Sequence, residues 1–388
     1  MDHQVLLAKL ERYGIGGHAL SWLREFLLDR KQAVVVEGHR STLRLVLSGV
    51  PQGTVLGPVL FVLYINDLLE RISNGFGFAD DTKLIGAIKD MIGVANLQEE
   101  LNQVTKWSEH NNMQLHEQKF EVLSYSLGLK KAEYLRELPL YPETIEYRTP
   151  KGHLITPRES VRDLGVIVSS NRSWRPHIEK TAQEASKMAA WTLSAFRDRT
   201  VTVMLTLYKS MVRSKLEYCC LVWSPTSVGE IQMLENVQRS FTRRISGCRD
   251  MSYWDRLKRL KIMSLQRRRE RYCIIHVWKI LNGHAPNDIG MEFQTSERLG
   301  IQAKIPHMGK IAKLSVRSDY DKSFKVRAAQ LWNLVPAGIG KLGTLESFKI
   351  GLCRFLEQYP DTPPVTGYTP ANNNSLLSWR WTSTRPST

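Results

Sequence analysis

The sequence predicts an α+β protein whose two parts are built differently, a sheet-bearing N-terminal part and a helical, basic remainder. Three observations carry this reading. The segment that ends at residue 125 runs helix, hairpin, helix, strand; beyond residue 170 the apolar pattern becomes purely helical; and the charge changes sign at the same place. Residues 1–170 hold 19 Lys+Arg against 21 Asp+Glu and the rest holds 35 against 17, so the whole formal charge of +16 lies behind residue 170. A polyanion or an anionic surface is the natural partner of such a half.

In chain order, Asp2 stands as N-cap to a short helix, "HQVLLAKLERY", which "GIGG" stops. A second helix covers "HALSWLREFLLDR", and "QAVVVEG" with "TLRLVLSG" alternates like a half-buried two-stranded ribbon. "SGVPQGTVLGPVLFVLYINDLLERI" is a Gly/Pro-punctuated loop entering an apolar helix that ends near Ile72, and the hairpin "GFGFADDTKLIG" follows directly. Val94, Leu97, Leu101, Val104 and Trp107 lie three and four apart, the stripe of an amphipathic helix, before a strand "FEVLSY". With one more strand ahead of residue 1, this order is a split βαβ sheet.

Residues 127–160, with four prolines, read as a connector carrying short strands. Ile178, Ala182, Ala185, Ala189, Leu193 and Phe196 then mark one helix, and Ile231, Leu234, Val237, Phe241 and Ile245 a second. A third runs from a Ser264 cap to a stop at Asn282-Gly283. Residues 359–388 are polar and proline-rich, the composition of a disordered tail with one Trp-Arg-Trp contact. The longest apolar stretch, "VLGPVLFVLYI", is about half of the ~20 residues that span a bilayer. Five cysteines form no Cys-x-x-Cys pair and have no histidine at ligand spacing, so neither a zinc knuckle nor a disulfide scaffold is indicated. These features predict an intracellular chain, nuclear or cytoplasmic, with no membrane partner.

The adjacent Asp80 and Asp81 allow two readings, a solvated hairpin turn or half of a metal site. Extended residues would send the two carboxylates to opposite faces, but at a tight turn both can reach one edge. The neighbouring phrases favour the second reading. "SGVPQG…LGP" followed about twenty residues later by "FADD" resembles the B and C motifs of reverse transcriptases from non-LTR, LINE-type retrotransposons, nearest the jockey-like group. "NNMQLHEQKFEVLSY" is similar to motif D, "VRDLGVIV" to the start of the primer-gripping region, and "HIEKTAQEASKMAAW" with "LYKSMVRSKLEYCCLVWSP" to the thumb. "IQMLENVQRSFTRRISG" and "SFKVRAAQLWNLVP" extend the resemblance to about residue 358.

The resemblance implies RNA-directed DNA polymerase chemistry on an RNA template and DNA primer with dNTPs. Two Mg²⁺ ions would be held by Asp80 and Asp81. It implies that Pro51, Gln52 and Gly53 form the loop under the incoming nucleotide and template base, with Gly53 admitting close backbone approach. Phe78 and Ala79 would lie beside the primer end, and Lys119 would serve the leaving pyrophosphate, unless Lys119 is a solvated loop lysine. In this family an earlier motif, Phe-Asp-x-Val-Asp-His, supplies a third carboxylate. Asp2-His3 align with its later Asp-His, which places the catalytic aspartate three positions upstream, before Met1. Asp2 is a poor substitute, since an odd offset on a strand points to the other face. The implied protein is a reverse transcriptase truncated within that motif, lacking fingers and endonuclease. The alternative is a catalytically silent nucleic-acid-binding fragment.

The stretch 238–272 is dense in arginine, with Tyr253, Trp254 and Tyr272 interleaved. Arg239 and Arg243, four apart, share a helical face away from Val237 and Phe241. With Arg244, Arg267, Arg268 and Arg269 they form either a phosphate-tracking face, whose exposed aromatics stack on bases, or an ordinary solvated one. The expected organisation is a partial palm over 1–170, a basic helical thumb-like region over 171–290, a helical or mixed region over 291–358, and a tail over 359–388.

Overall fold

Asp2 caps α1 (His3–Arg12): its Oδ1 accepts the N–H of Gln4 at 2.8 Å and of Val5 at 3.1 Å, a cap of about 1 kcal/mol. The computed structural model describes residues 1–125, 145–286, 323–358 and 375–377, in two compact units, Met1–Val161 and Arg162–Thr388. The Trp-Arg-Trp run lies outside the described residues.

In the first unit α1, α2 (Gly17–Leu27), α3 (Leu56–Leu69) and α4 (Met91–His110) share a core of Leu6, Leu10, Leu27, Leu60, Tyr64 and Trp107. The ribbon predicted between α2 and α3 forms as four short strands. β1 (Lys31–Gln32) pairs with β4 (Arg44–Leu45), and β2 (Val35–Val36) with β3 (His39–Arg40). The inner pair closes on Glu37 and Gly38 at φ +49° and +81°, the two left-handed residues of a type I′ hairpin turn. Its expected half-burial is not met: Val34, Val35 and Val36 are 62–65% exposed. The β-branched run is that of a strand, but its valines are left uncovered among the described residues.

β5 (Gly75–Phe78) and β6 (Asp81–Leu84) form the expected hairpin, which rests on α3 and α4. The expected strand over 120–125 is absent. Val122 makes one isolated bridge to Pro157, and its carbonyl accepts the Arg158 N–H at 2.8 Å. Phe120 and Val122 still pack with Val94, Leu101, Tyr147 and Ile155; their pattern reports burial, but without a partner strand it makes no ladder. β7 (Tyr147–Arg148) and β8 (Leu154–Ile155) close this unit. The α+β class stands, while the strands of the described residues pair two by two rather than in one split βαβ sheet.

A hairpin of β9 (Ser160–Asp163) and β10 (Val166–Ser169) leads into the helical unit. There α5 (Arg175–Ala195) lays Ile178, Ala182, Ala185 and Ala189 against α9 (Val228–Thr242), whose Leu234, Val237 and Phe241 are buried. Between them run α6 (Val201–Leu207), a π-helical turn over Tyr208–Val212, α7 (Arg213–Glu217) and α8 (Cys220–Trp223). α10 (Tyr253–Leu260) and α11 (Leu265–Leu281) follow, the latter capped by Ser264 and ended at Asn282 with Gly283 at φ +74°, as the sequence predicts.

α11 also packs on α12 (Phe324–Trp332) and α14 (Leu345–Glu357), with the short α13 (Ala337–Gly340) between them. Leu376, inside the tail expected to be disordered, is buried in this second core, and its N–H donates to Glu270 Oε2 at 3.0 Å. No helix among the described residues is long and apolar enough to cross a membrane.

Candidate active site and nucleic-acid face

The segment leading to Pro51, Gln52 and Gly53 is tied to the start of the chain. Asp2 and Ser48 form a β-bridge, the Gly49 N–H donates to Met1 O at 2.8 Å, and His3 Nε2 donates to Gly49 O at 2.7 Å. The loop then turns into α3 through Thr54, whose Oγ1 donates to Pro51 O at 2.7 Å and accepts from Gly57 N–H at 3.1 Å. Gln52 and Gly53 are exposed. Gly53 has φ +78°, where a Cβ would be strained, and nothing lies within 4 Å of a Cβ built there. Within the chain, glycine is therefore needed for the turn rather than for clearance.

The hairpin explains its own composition. Its register pairs Gly75 with Leu84, Phe76 with Lys83, Gly77 with Thr82 and Phe78 with Asp81, so glycines and phenylalanines alternate between two faces. On the glycine face a Cβ at Gly75 would lie 2.1 Å from Ile72 Cδ1 and one at Gly77 3.2 Å from Leu69 Cδ1, so the strand lies directly against α3 and the residues behind it. On the other face Phe76 and Phe78 are 43% and 64% exposed. Ala79, at φ +52°, and Asp80 form the two-residue turn, and Asp81 opens β6. Both aspartates are exposed. Among the described residues no third acidic, histidine or cysteine side chain joins them in a metal-sized cluster.

Asp2 is engaged elsewhere: besides capping α1 it accepts from Asn112 Nδ2 at 3.2 Å. These bonds, led by the Val5 N–H, hold its carboxyl below the usual range. Lys119 ends a 3-10 turn over Glu117–Lys119 and is exposed. Glu117 anchors that turn to the β7–β8 hairpin: its Oε2 meets His153 Nδ1 at 3.1 Å and its Oε1 Lys151 Nζ at 3.2 Å. The Thr149 hydroxyl, then His153 and Lys151, bring its carboxyl down to about 2.

The six arginines divide. Arg239, Arg243 and Arg244 are exposed at the end of α9, with Arg239 5.0 Å over the Tyr253 ring and donating to Asn236 Oδ1 at 3.1 Å. Arg267 and Arg269 are 1% and 2% exposed, and Arg268 is held by Glu217, one of its bonds at 2.9 Å, and by the Tyr272 hydroxyl. Those three are interior or engaged by the fold. Tyr253, expected among exposed aromatics, is buried, with its hydroxyl donating to Glu235 Oε2 at 2.6 Å. The sequence reading missed Arg249, Lys258, Arg259 and Lys261, which are exposed in the residues that follow the first three. For Lys258 and Arg259 the signal was present in the helical period, since Tyr253, Leu257 and Leu260 bury the opposite side of α10.

Comparison with known proteins matches residues 1–168 to the family described as reverse transcriptase (RNA-dependent DNA polymerase). The chain is 24% identical over 236 residues to a probable RNA-directed DNA polymerase from transposon X-element of Drosophila melanogaster, covering 58% of this chain and 25% of that protein. It is 23% identical over 238 residues to the RNA-directed DNA polymerase from mobile element jockey of the same species, again 58% and 25%. An uncharacterized protein of Caenorhabditis elegans is 30% identical over 132 residues, 33% of this chain and 67% of that one. The matched region thus spans about a quarter of the transposon polymerases' length.

Proposed function

The chain belongs to the reverse transcriptase family, in its non-LTR retrotransposon lineage, and from that premise we propose that it is a nucleic-acid-binding piece of such a polymerase. In this reading residues 1–170 are a partial palm, and the basic region 171–290 acts as a thumb following a template–primer backbone. The observation that carries it is the hairpin turn, where Ala79 at φ +52° brings Asp80 to the tip and Asp81 to the first position of β6, both exposed.

The reaction class is RNA-templated DNA synthesis, in which a primer 3′-hydroxyl attacks the α-phosphate of a dNTP. Magnesium, when bound, would stabilise charge on the attacking and leaving oxygens. Asp80 and Asp81 offer the hard oxygen donors that Mg²⁺ takes, and they fit part of a two-ion site. Phe78 and Ala79 would flank the primer end, and Pro51, Gln52 and Gly53 would line the nucleotide, the open space over Gly53 leaving room for it. The exposed Lys119 would face the pyrophosphate.

With Asp2 capping α1 and no third ligand gathered among the described residues, the pair alone leaves two dications short of charge. We therefore propose that this chain by itself is a weak or silent polymerase, and that its robust activity is nucleic-acid binding through Arg239, Arg243 and Arg244. Primer extension on poly(rA)·oligo(dT) with Mg²⁺ or Mn²⁺, comparing the chain with Asp80→Ala, tests catalysis: equal background in both rules out synthesis by this chain. Filter binding of an RNA–DNA duplex between low and physiological salt tests the face, and a flat response would refute it.

A further inference from the structure

Ser246 lies on the turn that follows α9, with Arg243 and Arg244 three and two residues before it. All three side chains are exposed, and among the described residues the Ser246 hydroxyl has no hydrogen-bond partner. The turn is anchored around it: the Ser246 N–H donates to Arg199 O at 2.8 Å, while Ile245 and Cys248 are buried. At the next residue, Gly247, a Cβ would lie 2.8 Å from an Arg259 guanidinium nitrogen, so that guanidinium stands beside the same turn. Residues 239–261 contain eight Lys or Arg and two Asp.

We propose that Ser246 is a phosphorylation site for an arginine-directed serine/threonine kinase, and that phosphate there weakens the basic face of α9 and α10. Two arginines just before a free hydroxyl are what the carboxylates of such a kinase recognise, by charge-assisted hydrogen bonds. The hydroxyl oxygen attacks the γ-phosphorus of ATP, and the bond to the β–γ bridging oxygen breaks. ADP leaves, and the hydroxyl proton passes to the kinase's catalytic aspartate. Because Ile245 is buried, the kinase takes the turn as it opens locally and releases Arg199 O. The product places about −1.5 to −2 charge on the turn that follows Arg243 and Arg244 and that the Arg259 guanidinium stands beside. These guanidiniums then pair with the protein's own phosphate instead of a nucleic-acid backbone.

This inference rests on the nucleic-acid reading of that face, and one experiment separates the two. The full chain and Ser246→Ala are treated with the catalytic subunit of cyclic-AMP-dependent protein kinase and ATP. Phosphate is mapped by mass spectrometry, and RNA–DNA duplex binding is measured across a salt series before and after. The expected result is phosphate at Ser246, absent from the variant, with affinity about ten-fold lower at 0.1 M salt and a log–log slope shallower by roughly one to two units. No phosphate at Ser246, or phosphate with unchanged affinity and slope, overturns the inference while leaving the binding face intact. Failure of the untreated chain to bind refutes the face itself, and the switch with it.

Discussion

Lys9 Nζ lies 2.7 Å from Asp67 Oδ1 in the interior of the first unit, with side chains 8% and 24% exposed. The ammonium also donates to Tyr64 O at 2.6 Å and sits 4.6 Å and 4.8 Å from the centres of the Tyr64 and Trp107 rings. Trp107 Nε1 donates to the same carboxylate oxygen at 2.8 Å, so one ion pair joins α1, α3 and α4. Burial pushes the Lys9 amine down, and the Asp67 hydrogen bond works against it. Removing the anion strands the better-buried charge. Asp67→Ala is expected to lower stability by about 3 kcal/mol. Lys9→Met, which leaves Asp67 its tryptophan donor and partial exposure, should lower it by roughly half as much. Urea denaturation of both variants checks the order, and a larger loss for Lys9→Met contradicts it.

Ile72 and Gly75 should be coupled. A methyl at Gly75 meets Ile72 Cδ1 at 2.1 Å and Cγ1 at 2.5 Å, and Ile72 is buried. Overpacking of this kind costs about 1–3 kcal/mol, so Gly75→Ala is expected to destabilise the hairpin against α3. In the Ile72→Ala background the added methyl has room, and the double variant should lose at least about 0.5 kcal/mol less than the sum of the singles. Strict additivity would mean that the strand does not lie against this side chain.

His177 makes the helical unit sensitive to acid. The Ile167 N–H donates to Nδ1 at 3.2 Å, which leaves Nε2 to donate to Thr181 Oγ1 at 3.3 Å. Burial lowers its pKa below the ordinary histidine value. The unfolded chain therefore binds more protons at this site, and stability rises with pH. The contribution is complete above about pH 6.5 and is lost as pH falls toward the folded value. Thermal unfolding from pH 8 to 5 should show a fall that His177→Gln flattens; parallel profiles would exclude the mechanism.

Arginines of one sequence run should behave in opposite ways. Arg243→Glu with Arg244→Glu should leave stability nearly unchanged and weaken duplex binding, with the salt slope shallower by about 0.9 for each phosphate that is no longer neutralised. Arg269, enclosed and with both terminal nitrogens unpartnered among the described residues, carries a desolvation penalty that lowers its pKa. Arg269→Met should keep duplex affinity and change stability by less than about 1 kcal/mol, or raise it. A loss above about 3 kcal/mol would show that the buried charge is needed.

Much was legible because it depends on short-range geometry. The Asp2 cap, the stop at Asn282-Gly283 and the two helical stripes of the basic unit follow from capping chemistry and the 3.6-residue period. The hairpin at "GFGFADDTKLIG" likewise follows from a turn set between two short strand-like runs. The site's wording was legible too, since "SGVPQG" and "FADD" carry the family resemblance without any coordinates.

Other features required tertiary structure, because periodicity tells which residues share a face but not whether anything covers it. Val34, Val35 and Val36 lie in a pair of strands read as a half-buried ribbon and stand exposed, whereas Phe120 and Val122 pack inward without a strand partner. Arg267, Arg268 and Arg269 look like the most basic stretch of the chain, yet α11 is enclosed by two cores, which take in Arg267 and Arg269, while Glu217 holds Arg268. The less conspicuous Lys258 and Arg259 remain at the surface. Local sequence set the elements and the chemistry they carry; packing between residues far apart in the chain decided which charges reach water, because burial is a property of the partner surface as much as of the residue.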